Sequence, residues 1–368
     1  DRVRPYEKGI IGRVLELFFE LHPHARSQGA YVLFDEIQDV DEWGVTARRL
    51  IDTEMITLLL TGPSSRLLSE DVATEFRGRS VAYELAPFSL REHARSRGID
   101  LSPEGVSGNK ELASLAKRML LDYLKVGGFP AAGKLDDLER AQTLQGYAQL
   151  TVARDIVDRL GFSNSSYAQQ LARTAVTSTA RDVSINRLDH KGRSSGYTPG
   201  RARIAELLDA FDNAHLAYQV YEFSYSAQKL RTGGMKLYSV DPGLYWAMAA
   251  ATDDGTTFAF ETAVYGELRR RRMTARLGEI SMLKLESGKE VDFVVGDATT
   301  ESAQMLVQAC FAMDDAKTEA RETEALREAM ARFGTGEGVI VTFDEEHDIE
   351  VPEGVIRVVP AWKWLLGG

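Results

Sequence analysis

Tyr31-Val32-Leu33-Phe34-Asp35-Glu36 decides how this chain is read. Four apolar residues run without polar interruption and stop at two adjacent acids. A continuous apolar run of this length reads as a strand buried on both faces of a parallel sheet. A second run, 55–60, reads Met55-Ile56-Thr57-Leu58-Leu59-Leu60 and is closed by Thr61-Gly62-Pro63-Ser64-Ser65. Between the two, the spacing predicts a helix over 45–51. Upstream, Ile10, Ile11, Val14, Leu17, Phe18 and Leu21 recur at helical spacing, and His22-Pro23 ends that helix. Strand, helix and strand in alternation point to a parallel α/β sheet.

The chain has 368 residues, enough for two or three domains. No apolar run approaches the roughly 20 residues that span a bilayer, so we expect no membrane segment. No basic start leads into an apolar stretch, so no signal peptide is expected. Cys310 is the only cysteine, which rules out an intrachain disulfide and fits a reducing, cytoplasmic setting. The net charge of −11 argues against wholesale attraction to nucleic acid or anionic lipid. Any such contact must come from a local basic patch.

From about residue 89 to 213 the pattern is mainly helical, interrupted by Gly127-Gly128-Phe129-Pro130 and by a polar stretch over 189–199. Strands are predicted at 220–223, 236–240, 282–286, 290–295, 305–309 and 338–342, with helices at 260–272 and 318–333 among them. No internal repeat stands out.

Two acids fixed at the end of a sheet strand suit metal and water chemistry, because ligands of open α/β sheets bind at the carboxyl edge. In nucleotide hydrolases this is the Walker B arrangement. Asp35 would hold Mg²⁺ through water, and Glu36 would orient or deprotonate the attacking water. In AAA ATPases the adjacent strand delivers a polar residue to the γ-phosphate, and Thr61 or Ser64 stands where that residue would be. Arg77 and Arg79, in Phe76-Arg77-Gly78-Arg79, could neutralise charge on the transferred phosphoryl group. The plainer alternatives are a core strand ending in two solvated acids and a pair of surface arginines in salt bridges.

The order of motifs carries a resemblance. Phe34-Asp35-Glu36-Ile37-Gln38-Asp39-Val40, Trp43, Leu60-Thr61-Gly62-Pro63-Ser64-Ser65, Phe76-Arg77-Gly78-Arg79 and Leu85-Ala86-Pro87-Phe88-Ser89 follow one another. Further on come Gly127-Gly128-Phe129-Pro130, Arg154-Asp155-Ile156, Asp241-Pro242-Gly243-Leu244, Glu290-Val291-Asp292-Phe293 and Arg321-Glu322. Together they resemble a family of bacterial and archaeal AAA-type ATPases with a C-terminal domain of unknown function. The resemblance covers nearly the whole chain. It implies ATP and Mg²⁺ as cofactors, a winged-helix unit in the middle and a restriction-endonuclease-like module at the end. That family opens with a strand and a Gly-x-x-x-x-Gly-Lys-Ser/Thr loop that cradles phosphates. Gly128 to Lys134 spells only part of it: Leu135 replaces the hydroxyl, Pro130 interrupts the loop, and it follows Asp35 instead of preceding it. The resemblance therefore implies a loop upstream of Asp1, and the chain by itself is expected to bind ATP poorly.

In the middle, 167–178, 185–188 and 201–214 read as three helices, and 220–223 with 236–240 as a wing. Between Arg181 and Arg203 lie six basic residues (Arg181, Arg187, Lys191, Arg193, Arg201 and Arg203) against Asp182 and Asp189. A helix-turn-helix would set Arg187, Lys191, Arg193, Arg201 and Arg203 on DNA phosphates. Winged helices in ATPases also serve as protein-contact modules, and the polar stretch 189–199 interrupts the usual tight turn.

Toward the end, Glu261 shares a helix face with Val264, Tyr265 and Leu268. Asp292 lies on a later strand, opposite in alternation to Val291 and Phe293, and Gln308 on the strand after it. The order of Glu261, Asp292 and Gln308 resembles nuclease-like folds in which carboxylates bind Mg²⁺ and a lysine activates water. Here Gln308-Ala309-Cys310 stands where a glutamate and a lysine are expected, so a scaffold without cleavage is expected. The run Arg269-Arg270-Arg271-Arg272 points around its helix and reads as a solvated face. No histidine shows metal-ligand spacing.

The expected fold class is α/β: a partial P-loop-type parallel sheet over 1–100, a helical and winged-helix region over 101–235, and a nuclease-like α/β domain over 236–368. The expected function is ATP binding and hydrolysis coupled to a C-terminal module that binds nucleic acid or a protein client, with homo-oligomerisation open. The alternative is a DNA-binding regulatory protein that uses the winged helix.

Overall fold

The computed structural model describes residues 9–37, 40–62, 76, 79–224, 234–250 and 255–367. The chain divides into two compact units, 1–84 and 85–368.

In the first unit, α1 (Ile10–Leu21) buries Ile11, Leu15 and Phe19, a stripe four residues apart that a helix brings to one face. After α2 (Pro23–Gln28) come β1 (Ala30–Phe34), α3 (Trp43–Thr53) and β2 (Ile56–Leu60). β1 and β2 pair in parallel from Ala30 opposite Ile56 to Phe34 opposite Leu60. This register brings the two strand ends level. Val32, Phe34, Ile56 and Leu60 pack with Ile11, Leu15, Phe19, Ile37 and Leu50. The expectation of strands buried on both faces is not met. Tyr31 is 78 % exposed, Leu33 71 % and Leu59 45 %. Among the described residues, α1 and α3 cover one face of this sheet.

The second unit opens with α4 (Leu90–Ser96), whose Ser89 and Glu92 form a reciprocal capping box, then α5 (Pro103–Gly108) and α6 (Lys110–Val126). The helix α7 (Asp137–Thr151) continues as a π-helical stretch, Val152–Val157, which holds Arg154-Asp155-Ile156. There follow α8 (Ser165–Thr177), β3 (Arg181–Val183), α9 (Ile185–Ser194), α10 (Arg201–Asn213), β4 (Ala217–Tyr221) and β5 (Met235–Ser239). The three strands form an antiparallel sheet in the order β3-β5-β4. The expected polar stretch at 189–199 is half helix. Leu188, Asp189 and Gly192 of α9 are buried, and Gly192 lies so close to Tyr167 that a Cβ there would be 3.1 Å from the ring.

The last part holds α11 (Pro242–Met248), α12 (Gly255–Thr274), β6 (Glu279–Lys284), β7 (Glu290–Asp297), β8 (Ser302–Ala309), α13 (Ala316–Phe333), β9 (Glu337–Thr342), β10 (His347–Val351), β11 (Gly354–Pro360) and α14 (Ala361–Trp364). The six strands form one sheet in the order β10-β11-β9-β8-β7-β6, with parallel pairing only between β8, β9 and β11. β7 is buried on both faces, not alternating. Phe293 and Val295 pack with Phe260, Val264 and Leu268 of α12, and Val291 and Val294 pack with Leu326 and Met330 of α13.

Three distant motifs meet at Asp241, which is 1 % exposed. Its Oδ2 accepts from Gly128 N at 2.6 Å, and its Oδ1 from Gly243 N at 2.8 Å and Leu244 N at 3.2 Å. Phe88 N donates to Gly128 O at 2.8 Å. Gly127 has φ +81°, and a Cβ on it would lie 1.9 Å from Asp241 Oδ1. One on Gly128 would lie 2.3 Å from Phe88 O. Only glycine fits either position. The stretch that partly resembles a phosphate loop is thus a packed corner of the second unit, ending in a 3-10 turn at Ala132–Lys134.

The four-arginine run is not a solvated face. Arg269 lies 3.7 Å over the Tyr218 ring. Arg270 donates to Pro87 O, Phe88 O and Tyr123 Oη at 3.0, 3.1 and 3.2 Å. Arg271 bonds Trp364 O at 2.6 Å and Gly367 O at 2.8 Å and covers the Trp364 ring, and Arg272 pairs with Glu279. Because consecutive residues point around a helix, one run reaches five separate segments.

Candidate functional sites

The parallel register of β1 and β2 sets Asp35 and Thr61 side by side just past the strand ends. Thr61 N donates to Phe34 O at 2.9 Å, and Ile37 N donates to Thr61 O at 3.2 Å. The Thr61 hydroxyl donates to Asp35 Oδ1 and accepts from Glu36 N at 3.3 Å. One side chain therefore ties together a carboxylate and the backbone of the next acid. Both acids are exposed. Glu36 has φ +53°, a left-handed conformation that costs an L-residue roughly 1–2 kcal/mol. Strain of this kind is held where surrounding structure over-determines it, often at functional sites.

The other residues expected beside a nucleotide divide. Arg79 pairs with Asp52 of α3 at 2.6 Å. Ser64 and Arg77 lie outside the described residues.

A second cluster lies in the other unit. Glu261 of α12, Asp292 of β7 and Gln308 of β8 come together, and all three are buried. Lys236 of β5, which sequence reasoning missed, stands among them. Its Nζ is 3.2 Å from Glu261 Oε1, 2.9 Å from Asp292 Oδ1 and 2.7 Å from Glu290 Oε1. Tyr238 Oη donates to Glu261 Oε1 at 2.7 Å. Asp292 Oδ2 accepts from Ala309 N at 3.0 Å, and Asp292 N donates to Gln308 Oε1 at 3.1 Å. The Gln308 amide donates to Glu322 of α13, which also pairs with Arg321.

The electrostatics follow from burial. Burial alone would lower the Lys236 pKa, but Asp292, Glu261 and Glu290 outweigh it and hold the ammonium above its ordinary value. Burial and Asp292 push Glu261 up to about 8 against the opposing pull of Lys236 and Tyr238. Cys310, which follows Gln308 by two, is buried, and its thiol is pushed up to about 12, away from nucleophilic use.

Four arginines of the middle region have partners within the chain, and three of them, Arg181, Arg187 and Arg193, are exposed. Arg181 covers the Phe258 ring at 3.9 Å, and Arg187 bonds Asp182 O at 3.2 Å. Arg193 pairs with Asp189 at 3.0 Å and Arg203 with Glu206 at 2.5 Å. Lys191 and Arg201 are exposed. α10 also carries Glu206, Asp209 and Asp212.

Among the described residues, no group of three or more His, Cys, Asp and Glu is arranged to hold a metal ion. No helix there is long and apolar enough to cross a membrane.

Comparison with known proteins matches two separate stretches of the chain. Residues 4–94 match the family model of an AAA domain, and residues 117–255 match that of a domain of unknown function, DUF8612. An uncharacterized protein of Methanocaldococcus jannaschii, MJ1544, is 28 % identical over 346 residues, 91 % of this chain and 74 % of that protein. An uncharacterized protein of Haemophilus influenzae is 26 % identical over 270 residues, 73 % of this chain and 63 % of its own length. No solved structure gives a significant match. The N-terminal part of this chain is thus similar to AAA domains, and its relatives occur in both archaea and bacteria.

Proposed function

We propose that the chain is the metal-and-water half of an AAA-type ATP hydrolase joined to a module that binds the hydrolase's client. The observation that carries this reading is the Thr61 hydroxyl tying Asp35 to the Glu36 backbone at the carboxyl edge of two parallel strands. Bound Mg²⁺ would neutralise charge on the phosphates. Asp35 is the residue to hold it through water, Glu36 to orient the attacking water, and Thr61 to position both. The donor set fits a hydrated Mg²⁺ because Asp35 keeps an oxygen that Thr61 does not take. No Gly-x-x-x-x-Gly-Lys-Ser/Thr string occurs in the 368 residues, so this half needs a phosphate cradle to complete it.

The test is ATP turnover by the protein expressed from its complete reading frame. Glu36→Gln should lower turnover by about a hundredfold or more while leaving nucleotide binding in place. Turnover indifferent to that substitution would end the reading.

For the second unit we read 165–239 as a winged helix. The order helix, strand, two helices and hairpin, with β5 central, supports it. We take the six-stranded sheet beyond it as a nuclease-like scaffold used for binding. A protein client is favoured over DNA, because α10 would meet phosphates with Glu206, Asp209 and Asp212, and Arg193 and Arg203 already have acidic partners. Fluorescent duplex DNA titrated at two salt concentrations decides between them. Salt-dependent binding that is lost in Arg201→Ala with Arg203→Ala would restore DNA as the target.

A further inference from the structure

A nuclease-like carboxylate site implies a divalent metal between Glu261 and Asp292. The residues present do not fit one, and the misfit has a specific cause. The space between these carboxylates is filled by an ammonium that belongs to the chain.

Lys236 Nζ lies within 3.2 Å of oxygens from three carboxylates, on α12 and at two positions of β7. Its separations of 2.7 and 2.9 Å from Glu290 and Asp292 are those of charge-assisted hydrogen bonds, and the 3.2 Å to Glu261 is at the long end of an ordinary N–H···O bond. Oxygens lie at about 2.0–2.1 Å from Mg²⁺ and about 2.3–2.6 Å from Ca²⁺. An ammonium has three N–H donors, and here each has its own carboxylate. Lys236 is only 6 % exposed, so solvent cannot substitute for it. Two of the surrounding carboxyl groups are also held by the fold, Glu261 through Tyr238 Oη on Oε1 and Asp292 through the Ala309 N–H on Oδ2. The lysine arrives from β5, outside the six-stranded sheet, so its place owes nothing to the spacing of acids along β7 and β8.

We propose that Lys236 is the resident cation of this cluster. Its ammonium occupies the seat that a divalent ion would take, so the native centre refuses Mg²⁺, Mn²⁺ and Ca²⁺. Removing the amine leaves a buried group of acids with surplus negative charge, which a divalent ion can then enter. This stands on the geometry of the second unit alone and does not depend on the ATPase reading.

Two measurements on the full chain test it. The first uses Asp35→Asn protein, which removes the metal-holding acid proposed for the first unit. Electron spin resonance then counts bound Mn²⁺ at millimolar ion. No bound Mn²⁺ is expected. A bound ion that disappears on further substitution of Glu290→Gln would overturn the proposal. The second compares melting of wild-type and Lys236→Met chains in EDTA and in millimolar Ca²⁺ or Mn²⁺. The wild-type midpoint should not move. The variant should melt roughly 10 °C lower in EDTA, as expected for breaking a buried ion pair, and recover at least half of that with the ion. Recovery that vanishes when Glu290→Gln is added places the ion in this seat. A variant that stays unfolded or gains nothing with either ion counts against the proposal, as does a wild-type midpoint that rises through Glu290.

Discussion

Burial and Asp292 push the Glu261 pKa up to about 8 from an ordinary value of 4.5, against the opposing pull of Lys236 and Tyr238. The groups facing it are Lys236 and Tyr238 from β5 and Asp292 from β7. Its folded value is raised, so its contribution to stability is complete below the ordinary value and is lost as pH rises toward about 8. Glu261→Gln keeps an oxygen for both donors and removes the titration. Melting followed from about pH 5 to about pH 9 should fall less steeply for the variant, which should be the more stable chain at the alkaline end. Superimposable profiles would mean that Glu261 ionises normally. Glu36 offers a second case. Its left-handed backbone predicts that Glu36→Gly stabilises the first unit by roughly 1 kcal/mol while turnover collapses, a pairing that denaturant melts and an ATPase assay check together. Much of this chemistry was legible in the residues. Glu261, Asp292 and Gln308 stand out by type and order, and the fold brings them together. Lys236 does not stand out, because a lysine in Met235-Lys236-Leu237-Tyr238 looks like a solvent-facing strand position. Its one signal was being the lone charge in an apolar run. Its partners Glu261, Glu290 and Asp292 lie from 25 to 56 residues away, a separation that local pattern does not encode.

At the scale of elements, the periodicities found most helices and strands but not their faces. β1 is an uninterrupted apolar run and β2 is apolar except for Thr57, yet Tyr31, Leu33 and Leu59 are exposed. The polar stretch after Leu188 is half helix because Asp189 and Gly192 turn inward. Residues 347–351 and 354–360 pair as β10 and β11 despite a charged sequence, since β10 is an edge strand with one ladder partner. The Asp241 corner makes a sharp prediction here. Gly128→Ala would drive a Cβ to 2.3 Å from Phe88 O, a backbone atom that cannot swing aside. We expect a loss of about 3 kcal/mol or more, read as a lower urea midpoint at unchanged slope. A variant within about 0.5 kcal/mol of wild type would show that the corner gives way. Arg270→Lys should cost less, because a single ammonium can still reach some of the oxygens the guanidinium now holds.

At the scale of the whole molecule, residues 85–368 form a unit whose core runs from Leu90 to Leu366. Expressed alone, 85–368 should be soluble and melt in a cooperative transition. A non-cooperative melt would show that this unit leans on the first for its order. The first unit is the less self-sufficient of the two, and its β-sheet face has a practical consequence. Tyr31 and Leu33 on β1 and Leu59 on β2 leave a stripe of oily side chains in contact with water. Such stripes make a protein colloidally unstable long before it unfolds. Light scattering from the purified chain should grow with concentration and with added sulfate, which strengthens apolar association. Tyr31→Thr with Leu33→Thr should suppress that growth while keeping the strand, since threonine favours extended backbone as readily.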